Sequence, residues 1–274
     1  MINSFIVPAL TIKFEYLSNL NKNSRDFKQL SRMQISTTTF KLFPKSKESG
    51  NLNSSTGDIV LWGSNLGLTL GGRLTRVQAN MTKIPPYLQS IMIGLILSDG
   101  WMQLPSDSKN ARLCFKQSIK NFSYVWSVFF LLSHYCSNFP FITTGTRKGK
   151  PFSALTFQTR QLPCLTDIYN LFYKNKTKVI PNNIYDLITP VALAHWIMGD
   201  GSAVNRGLVL CTDSFSLEQT TLLLNVLVIK YELDCTLWKQ SSGWRIYIKS
   251  KSMANLKSIV INHTHPSMLY KLCL

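Results

Sequence analysis

The chain contains 274 residues, 30 of them Lys or Arg and 13 Asp or Glu, which gives a formal net charge of +17. This length allows one large domain or two small ones, and the basic excess predicts a polyanionic partner, either nucleic acid or an anionic membrane surface. No apolar run is long enough to span a bilayer, so the remaining alternative to nucleic-acid binding is a basic surface that merely keeps the protein soluble.

The six cysteines show no pattern that would indicate a disulfide framework or a zinc site. No Cys-x-x-Cys pair occurs, and His263 and His265 have no cysteine pair near enough to complete a zinc site. We therefore expect reduced cysteines and a non-secretory compartment.

An N-terminal stretch without a clear pattern precedes the first strong helix signals. Residues 1–57 lack sustained periodicity and are rich in Asn, Ser, Lys and Thr, so we predict a poorly ordered extension. The pair Pro85 and Pro86 marks a helix start, because a proline in the first turn has no N–H to leave unpaired. Thr189 and Pro190 predict a second such start, with Thr189 as the N-cap.

The elements that follow these two helices come in the same order. Periodicity and turn residues predict a strand at 112–119, a helix at 124–137, hairpin strands at 141–146 and 152–160, and a helix at 163–173. The second set comprises a strand at 207–212, a helix at 217–231, hairpin strands at 235–239 and 244–249, and a helix at 252–261. The sequence thus predicts an α/β (α+β) fold of two pseudo-symmetric halves, residues 58–180 and 181–274, related by internal duplication.

The two proline-led helices end in nearly the same way, at Ser98-Asp99-Gly100 and at Gly199-Asp200-Gly201. A carboxylate at the C-terminus of a helix is unfavourable, because that end carries partial negative charge. The glycine after each Asp is predicted to stop its helix in the left-handed conformation. Two such ends imply that both acids have a purpose, and the natural counterion for two carboxylates that meet is a divalent metal ion.

Alternation along the predicted strands gives each sheet one apolar and one basic face. Arg245, Tyr247 and Lys249 alternate with apolar residues, and the strand around Gln158 shows the same pattern. A solvent-facing sheet shows such alternation too, but basic and amide side chains on one face also suit contacts with phosphates and base edges. The predicted nucleic-acid contacts are Arg112, Lys116, Arg147, Lys148, Lys150, Gln158, Arg160, Lys239, Arg245, Tyr247 and Lys249.

At the two repeated helix ends the chain resembles the LAGLIDADG homing endonucleases, in their two-motif monomeric form. The second motif, Thr189-Pro190 followed by LAHWIMGDG at 193–201, is similar to the version found in intron-encoded endonucleases of fungal mitochondria. The segments KVIPNN at 178–183 and MLYKL at 268–272 also resemble that branch. The resemblance covers residues 84–274.

This resemblance implies a geometry for the centre of the molecule. The two motif helices would pack side by side and deliver one acid each to a DNA-binding saddle of antiparallel β-hairpins, with helices behind it. Gly94 and Ser98 would allow a close approach to Ala192, His195 and Gly199. Because His195 stands where the first motif has Gly94, we expect it to be a hydrogen-bonded packing residue.

The resemblance also implies the catalytic and metal-binding residues. Asp99 and Asp200 would bind Mg²⁺, for which Mn²⁺ could substitute, and the carbonyl groups of Ser98 and Gly199 would be further ligands. By position, Lys178 and Lys271 would each stabilise the charge that develops at one scissile phosphate. The alternative for both lysines is that they only position phosphate groups.

The implied function is that of a site-specific endonuclease of a mobile group I intron, which cuts both strands of a double-stranded DNA target. It would act in the mitochondrion as a monomer, and we expect no membrane among its partners. The chief alternative is an RNA maturase, which binds group I intron RNA and assists its splicing; members of the family can do both. The two acids favour cleavage, because an RNA-binding scaffold has no need of two unfavourable carboxylates. A transcription regulator built on this scaffold has no support in the sequence.

Overall fold

The computed structural model describes residues 72–147 and 149–274, without the side chain of Arg147. The predicted extension over residues 1–57 lies outside this described part. Across the described residues, every helix falls short of the length and apolar character that a membrane span requires.

The first half consists of helices on one antiparallel sheet. Its helices are α1 Arg76–Met81, α2 Pro86–Leu97, α3 Phe122–Leu132 and α4 Pro163–Phe172. Its strands are β1 Gly100–Gln103, β2 Arg112–Ser118, β3 Phe141–Arg147 and β4 Lys150–Gln158, paired in the order β1-β2-β4-β3. A short ribbon follows, formed by β5 Tyr173–Lys174 and β6 Thr177–Lys178.

The second half repeats this arrangement. Its helices are α5 Ile184–Leu187, α6 Pro190–Asp200, α7 Leu217–Tyr231 and α8 Met253–Val260, followed by a 3-10 helix, Pro266–Leu272. Its strands are β7 Gly201–Val204, β8 Gly207–Cys211, β9 Cys235–Gln240 and β10 Gly243–Ile248, paired in the order β7-β8-β10-β9. The equal strand orders confirm the predicted fold of two similar halves.

Some predicted element boundaries were wrong. Strands β1 and β7 were not predicted, because four residues are too few to show an alternation. Helix α3 begins at Phe122 and ends at Leu132, where the chain tightens into a 3-10 turn, Ser133–Tyr135, instead of continuing to residue 137. Strand β4 covers Lys150–Gln158, so the turn of the first hairpin is tighter than predicted.

Helices α2 and α6 start as predicted and pack closely along each other. Pro86 is the first residue of α2, and the Thr189 hydroxyl caps α6 by accepting a hydrogen bond from the N–H of Ala192 at 3.2 Å. A Cβ atom added to Gly94 would lie 2.6 Å from the Cβ of His195, and one added to Gly199 would overlap the side chain of Ser98. The small residues therefore permit the close approach of the two helices, as predicted.

The prediction that Gly100 and Gly201 stop their helices in the left-handed conformation was wrong. Gly201 has a φ of −72° and a ψ of 144°, and Gly100 is the first residue of β1. Both glycines are instead required by crowding: an added Cβ would lie 2.8 Å from the Leu95 carbonyl oxygen at Gly100 and 2.5 Å from that of Ile197 at Gly201. Each motif helix thus turns directly into the first strand of its sheet.

The close packing of α2 on α6 predicts a large effect of a small substitution. Gly94→Ala should lower the free energy of unfolding by about 1–3 kcal/mol, because the new methyl group meets α6 backbone and the Cβ of His195. Urea unfolding followed by circular dichroism measures this change. Ser123→Ala, at an exposed position on α3, is the control and should change stability very little; equal stability of both variants would contradict the packing account.

Candidate catalytic centre and nucleic-acid interface

The two acids lie together at the ends of the paired helices. Asp200 is the last residue of α6, and Asp99 lies just beyond the end of α2. A Cβ atom added to Gly199 would lie 3.3 Å from the Oδ2 atom of Asp99, so Asp99 reaches the end of the opposite helix. Burial raises the pKa of both carboxyl groups, and the charge of Asp99 adds to the effect at Asp200, whose pKa rises to about 7.

Lys178 and Lys271, which the family resemblance singled out, lie beside the two acids. The Nζ atom of Lys271 donates a hydrogen bond to the Gly199 carbonyl at 2.5 Å, and that of Lys178 donates to the Gly100 carbonyl at 3.4 Å. Burial lowers the pKa of both ammonium groups, while Asp99 and Asp200 act in the opposite direction on each. The charges of both acids therefore act on each lysine, and the four residues form one electrostatic unit.

Sequence reasoning missed Gln117, which holds Asp99. Its side-chain amide donates a hydrogen bond to Asp99 Oδ2, and its oxygen accepts one from Asn121 Nδ2 at 2.7 Å. Gln117 is buried and follows Leu113 and Phe115 on the core face of β2, so a polar residue in that alternation was the available signal. The register places Thr212 at the matching position of the second half, where its hydroxyl donates to the Trp244 carbonyl at 2.6 Å instead.

The donor set of this cluster suits a hard divalent cation. Carboxylate and carbonyl oxygens are the ligands that Mg²⁺ prefers, and a divalent cation would offset the mutual repulsion of the two carboxylates. No group of three or more His, Cys, Asp or Glu side chains that could hold a metal ion occurs in the described residues. The remaining ligands would then be water or substrate oxygens. An open cleft of about 490 Å³ beside Asp200, lined also by Cys211 and Lys271, leaves room for them.

His195 is a packing residue, as predicted. It is buried between α2 and α6, and its Nδ1 atom lies 3.0 Å from the hydroxyl group of Tyr124. Burial, together with His263 and His265, lowers the pKa of His195 to about 3, so the imidazole is neutral near pH 7. Because Tyr124 belongs to the first half and His195 to the second, this contact joins the two halves.

The solvent face of the first sheet carries three of the predicted nucleic-acid contacts. In the strand register, Lys116 pairs with Thr156 and Cys114 with Gln158, so Arg112, Lys116 and Gln158 share one face. Arg112 donates to the Gln103 side-chain oxygen at 2.7 Å, and the Lys116 ammonium lies 5.2 Å from the ring centre of Phe152. Lys150 is exposed at the hairpin turn, whereas Lys148 and the side chain of Arg147 lie outside the described residues.

The structure places Arg160 apart from this set. It lies beyond the end of β4, where its backbone N–H donates a hydrogen bond to the Tyr135 carbonyl at 2.7 Å. Its guanidinium interacts electrostatically with Cys136. The expected alternation fails here because the strand ends at Gln158.

The four predicted nucleic-acid contacts of the second sheet do not all lie on one face. Arg245 and Tyr247 share the solvent face with Trp238, which sequence reasoning missed and whose ring stacks on that of Tyr247 at 4.3 Å. Lys239 pairs with Trp244 and therefore lies on the opposite face, because Ile246, two residues after Trp244, is buried in the core. Lys249 lies past the end of β10 and forms an ion pair with Asp234 at 3.0 Å.

The raised pKa of Asp200 predicts a pH-dependent stability of the metal-free protein. A carboxyl group whose pKa is higher in the folded chain stabilises the fold while protonated, and this contribution is lost as pH rises from 3.8 through about 7. In EDTA, Asp200→Asn should therefore melt at a higher temperature than the unmodified chain, with a difference that grows by a few degrees from pH 5 to pH 8. Asp107→Asn, in an exposed loop, should show no such trend. A constant difference for Asp200→Asn would refute the electrostatic explanation.

The sequence matches a known protein family and several of its relatives. The sequence profile of the LAGLIDADG DNA endonuclease family matches residues 89–256. The cytochrome b mRNA maturase bI2 of Saccharomyces cerevisiae is 34% identical over 206 residues, which cover 70% of this chain and 49% of that protein. The chain thus spans about half the length of this relative. The intron-encoded endonuclease ai4 of Dictyostelium discoideum is 37% identical over 126 residues, covering 45% of this chain and 79% of that protein.

A solved structure shares the fold. The homing endonuclease I-WcaI, bound to its DNA recognition sequence, superimposes with a TM-score of 0.69 at 24% identity, over 76% of this chain and 96% of that one. The family profile covers more than half of the chain and includes both acids, Gln117 and Lys178. The chain therefore belongs to the LAGLIDADG DNA endonuclease family.

Proposed function

We propose that the protein is a site-specific endonuclease of a mobile group I intron, which hydrolyses both strands of a double-stranded DNA target. The observation that carries the proposal is the cluster of Asp99, Asp200, Lys178 and Lys271. Each acid directly precedes the first strand of a sheet, so the cluster lies where the two sheets begin. One acid and one lysine per half fit a reaction on each of two strands.

The residues of the cluster have separable roles in this proposal. Asp99 and Asp200 would hold the metal, together with the carbonyl oxygens of Ser98 and Gly199. Bound Mg²⁺, or Mn²⁺ in its place, would supply Lewis-acid activation of water and of the leaving oxygen. Lys178 and Lys271 place positive charge beside the phosphates under attack, and Gln117 orients the carboxylate of Asp99 by hydrogen bonding.

Charge and architecture support the rest of the assignment. The net charge of +17 favours DNA, and the basic residues on the solvent faces of the two sheets would contact its backbone and bases. Because a single chain carries both acids, it needs no second copy, and two non-identical halves suit an asymmetric target. The relative named for cytochrome b mRNA supports action in the mitochondrion.

Removing either acid should separate cleavage from binding. Asp99→Asn and Asp200→Asn should each abolish double-strand cleavage of a plasmid that carries the intron-free junction of the host gene, in Mg²⁺ or Mn²⁺. DNA affinity in Ca²⁺ should stay similar or rise slightly, because a negative charge facing phosphate is lost. Gel assays of cleavage and of binding measure the two properties.

Asp107→Asn is the matched control and should cut normally. Full cleavage by either acid variant, or cleavage by the unmodified chain when divalent ions are chelated, would show that the two Asp-Gly ends are packing features.

A second candidate function is RNA maturation, which the relative named cytochrome b mRNA maturase favours. The basic surface can serve either polyanion, whereas the two acids serve only hydrolysis. If the chain assists splicing, an in vitro reaction on its own intron RNA should therefore proceed equally with the unmodified chain and with Asp99→Asn or Asp200→Asn. Splicing that depends on either acid would contradict this separation of the two functions.

A further inference from the structure

One carboxylate, that of Asp213, lies beside Arg245 at the second sheet. Asp213 follows β8, and its two oxygens accept hydrogen bonds from Nε and Nη2 of Arg245 at 2.8 and 2.7 Å. Ser242 donates a further hydrogen bond to Asp213 Oδ2 at 3.0 Å. The side chains of Arg245 and Asp213 remain 29% and 28% exposed, so the pair is accessible from solvent.

The pair is fixed to the sheet from both sides. The neighbouring Thr212 is fully buried and donates its hydroxyl to the Trp244 carbonyl at 2.6 Å, which ties the loop of Asp213 to β10. Arg245 lies on β10, with β8 on one side and β9 on the other. Its guanidinium is therefore held by a two-point contact whose acid cannot move independently of the strand.

The position of the pair is close to the catalytic cluster. Arg245 is in register with Cys211, and Cys211 lines the cleft beside Asp200 and Lys271. The charge of Asp213 also acts on Asp200. A nucleic acid that enters this cleft would meet Arg245 near the bond to be cut.

An arginine held in this way is poorly suited to a phosphate contact. Asp213 offsets its positive charge and would repel a phosphate group at short range. The hydrogen bonds to Asp213 occupy Nε and one N–H of Nη2, and a longer contact of 3.4 Å joins Nη2 to the Ser242 hydroxyl. On the edge that Asp213 does not use, Nη1 and Nη2 still present a pair of donors. The neutral acceptors O6 and N7 of guanine match such a pair of donors in the major groove.

We propose that Arg245 reads one guanine in the part of the DNA target next to the cleavage site, with Asp213 as the residue that positions its guanidinium. This inference rests on the proposed DNA-binding function and names a specificity determinant within it. By contrast, the side chain that accepts hydrogen bonds from Arg112 on the first sheet is the neutral amide of Gln103.

The test is a selection of target sequences from double-stranded DNA with randomised positions, bound in Ca²⁺. The unmodified chain should select a site with guanine at one position near its centre, favoured over other bases by about tenfold to a hundredfold. Arg245→Lys should lose this preference and keep the salt dependence of binding. Lysine keeps the positive charge but lacks the planar pair of N–H donors of the guanidinium. Asp213→Asn should weaken the preference and steepen the salt dependence by up to roughly one unit, because the freed guanidinium can contact phosphate.

Asp234→Asn is the matched control. Asp234 also pairs with basic residues, Lys249 and Lys251, but just past the far end of β10, so its replacement should leave every base preference unchanged. A guanine preference that survives in both Arg245→Lys and Asp213→Asn would overturn the inference while leaving the proposed endonuclease intact. If the unmodified chain selects no sequence at all, both the inference and the proposed function fall.

Discussion

The contact between α2 and α6 is the constraint on which the rest of the structure depends. Gly94 and Gly199 let the helices approach until Asp99 lies beside the end of the opposite helix, and both helices are almost entirely buried. This contact brings two carboxylates into one partly buried place, where burial and mutual repulsion raise the pKa of Asp200. Lys178 and Lys271 act against this rise but do not cancel it, because the pKa of both carboxyl groups stays above its ordinary value.

Four of the acidic residues lie next to basic side chains. Of the 13 acidic residues, two lie in the cluster with Lys178 and Lys271. Asp213 binds Arg245 of β10, and Asp234 binds Lys249 and Lys251 just after that strand. The four acids thus differ in their surroundings. The pKa of Asp99 and Asp200 is raised by burial, whereas that of Asp213 and Asp234 is lowered by hydrogen bonds with basic side chains. Burial lowers the pKa of Lys178 and Lys271, while the two acids act in the opposite direction.

The sequence could predict what depends on local pattern and on repetition. The helix starts at Pro86 and Pro190 follow from local proline patterns, and the two halves follow from the repeated order of elements. The meeting of the acids and the packing role of His195 came from the resemblance to the LAGLIDADG family. Gln117 could not be placed, since its contact with Asp99 depends on the register of β2 against β1. Arg160 was placed on a strand that in fact ends at Gln158, because a single strand does not reveal where it ends. The face of Lys239 depends on its pairing with Trp244, which the sequence does not show. Gly100 was misread because crowding, unlike turn chemistry, leaves no sign in the sequence.

The central claim is that the two carboxylates share one electrostatic environment at the end of the helix pair. A titration of the Asp carboxyl carbons by NMR in the metal-free protein tests it directly. The Asp200 carboxyl should titrate near pH 7, and Asp99→Asn should lower its pKa while burial keeps it above 3.8. An Asp200 carboxyl that titrates at an ordinary value, unchanged by the removal of the charge on Asp99, would contradict the account.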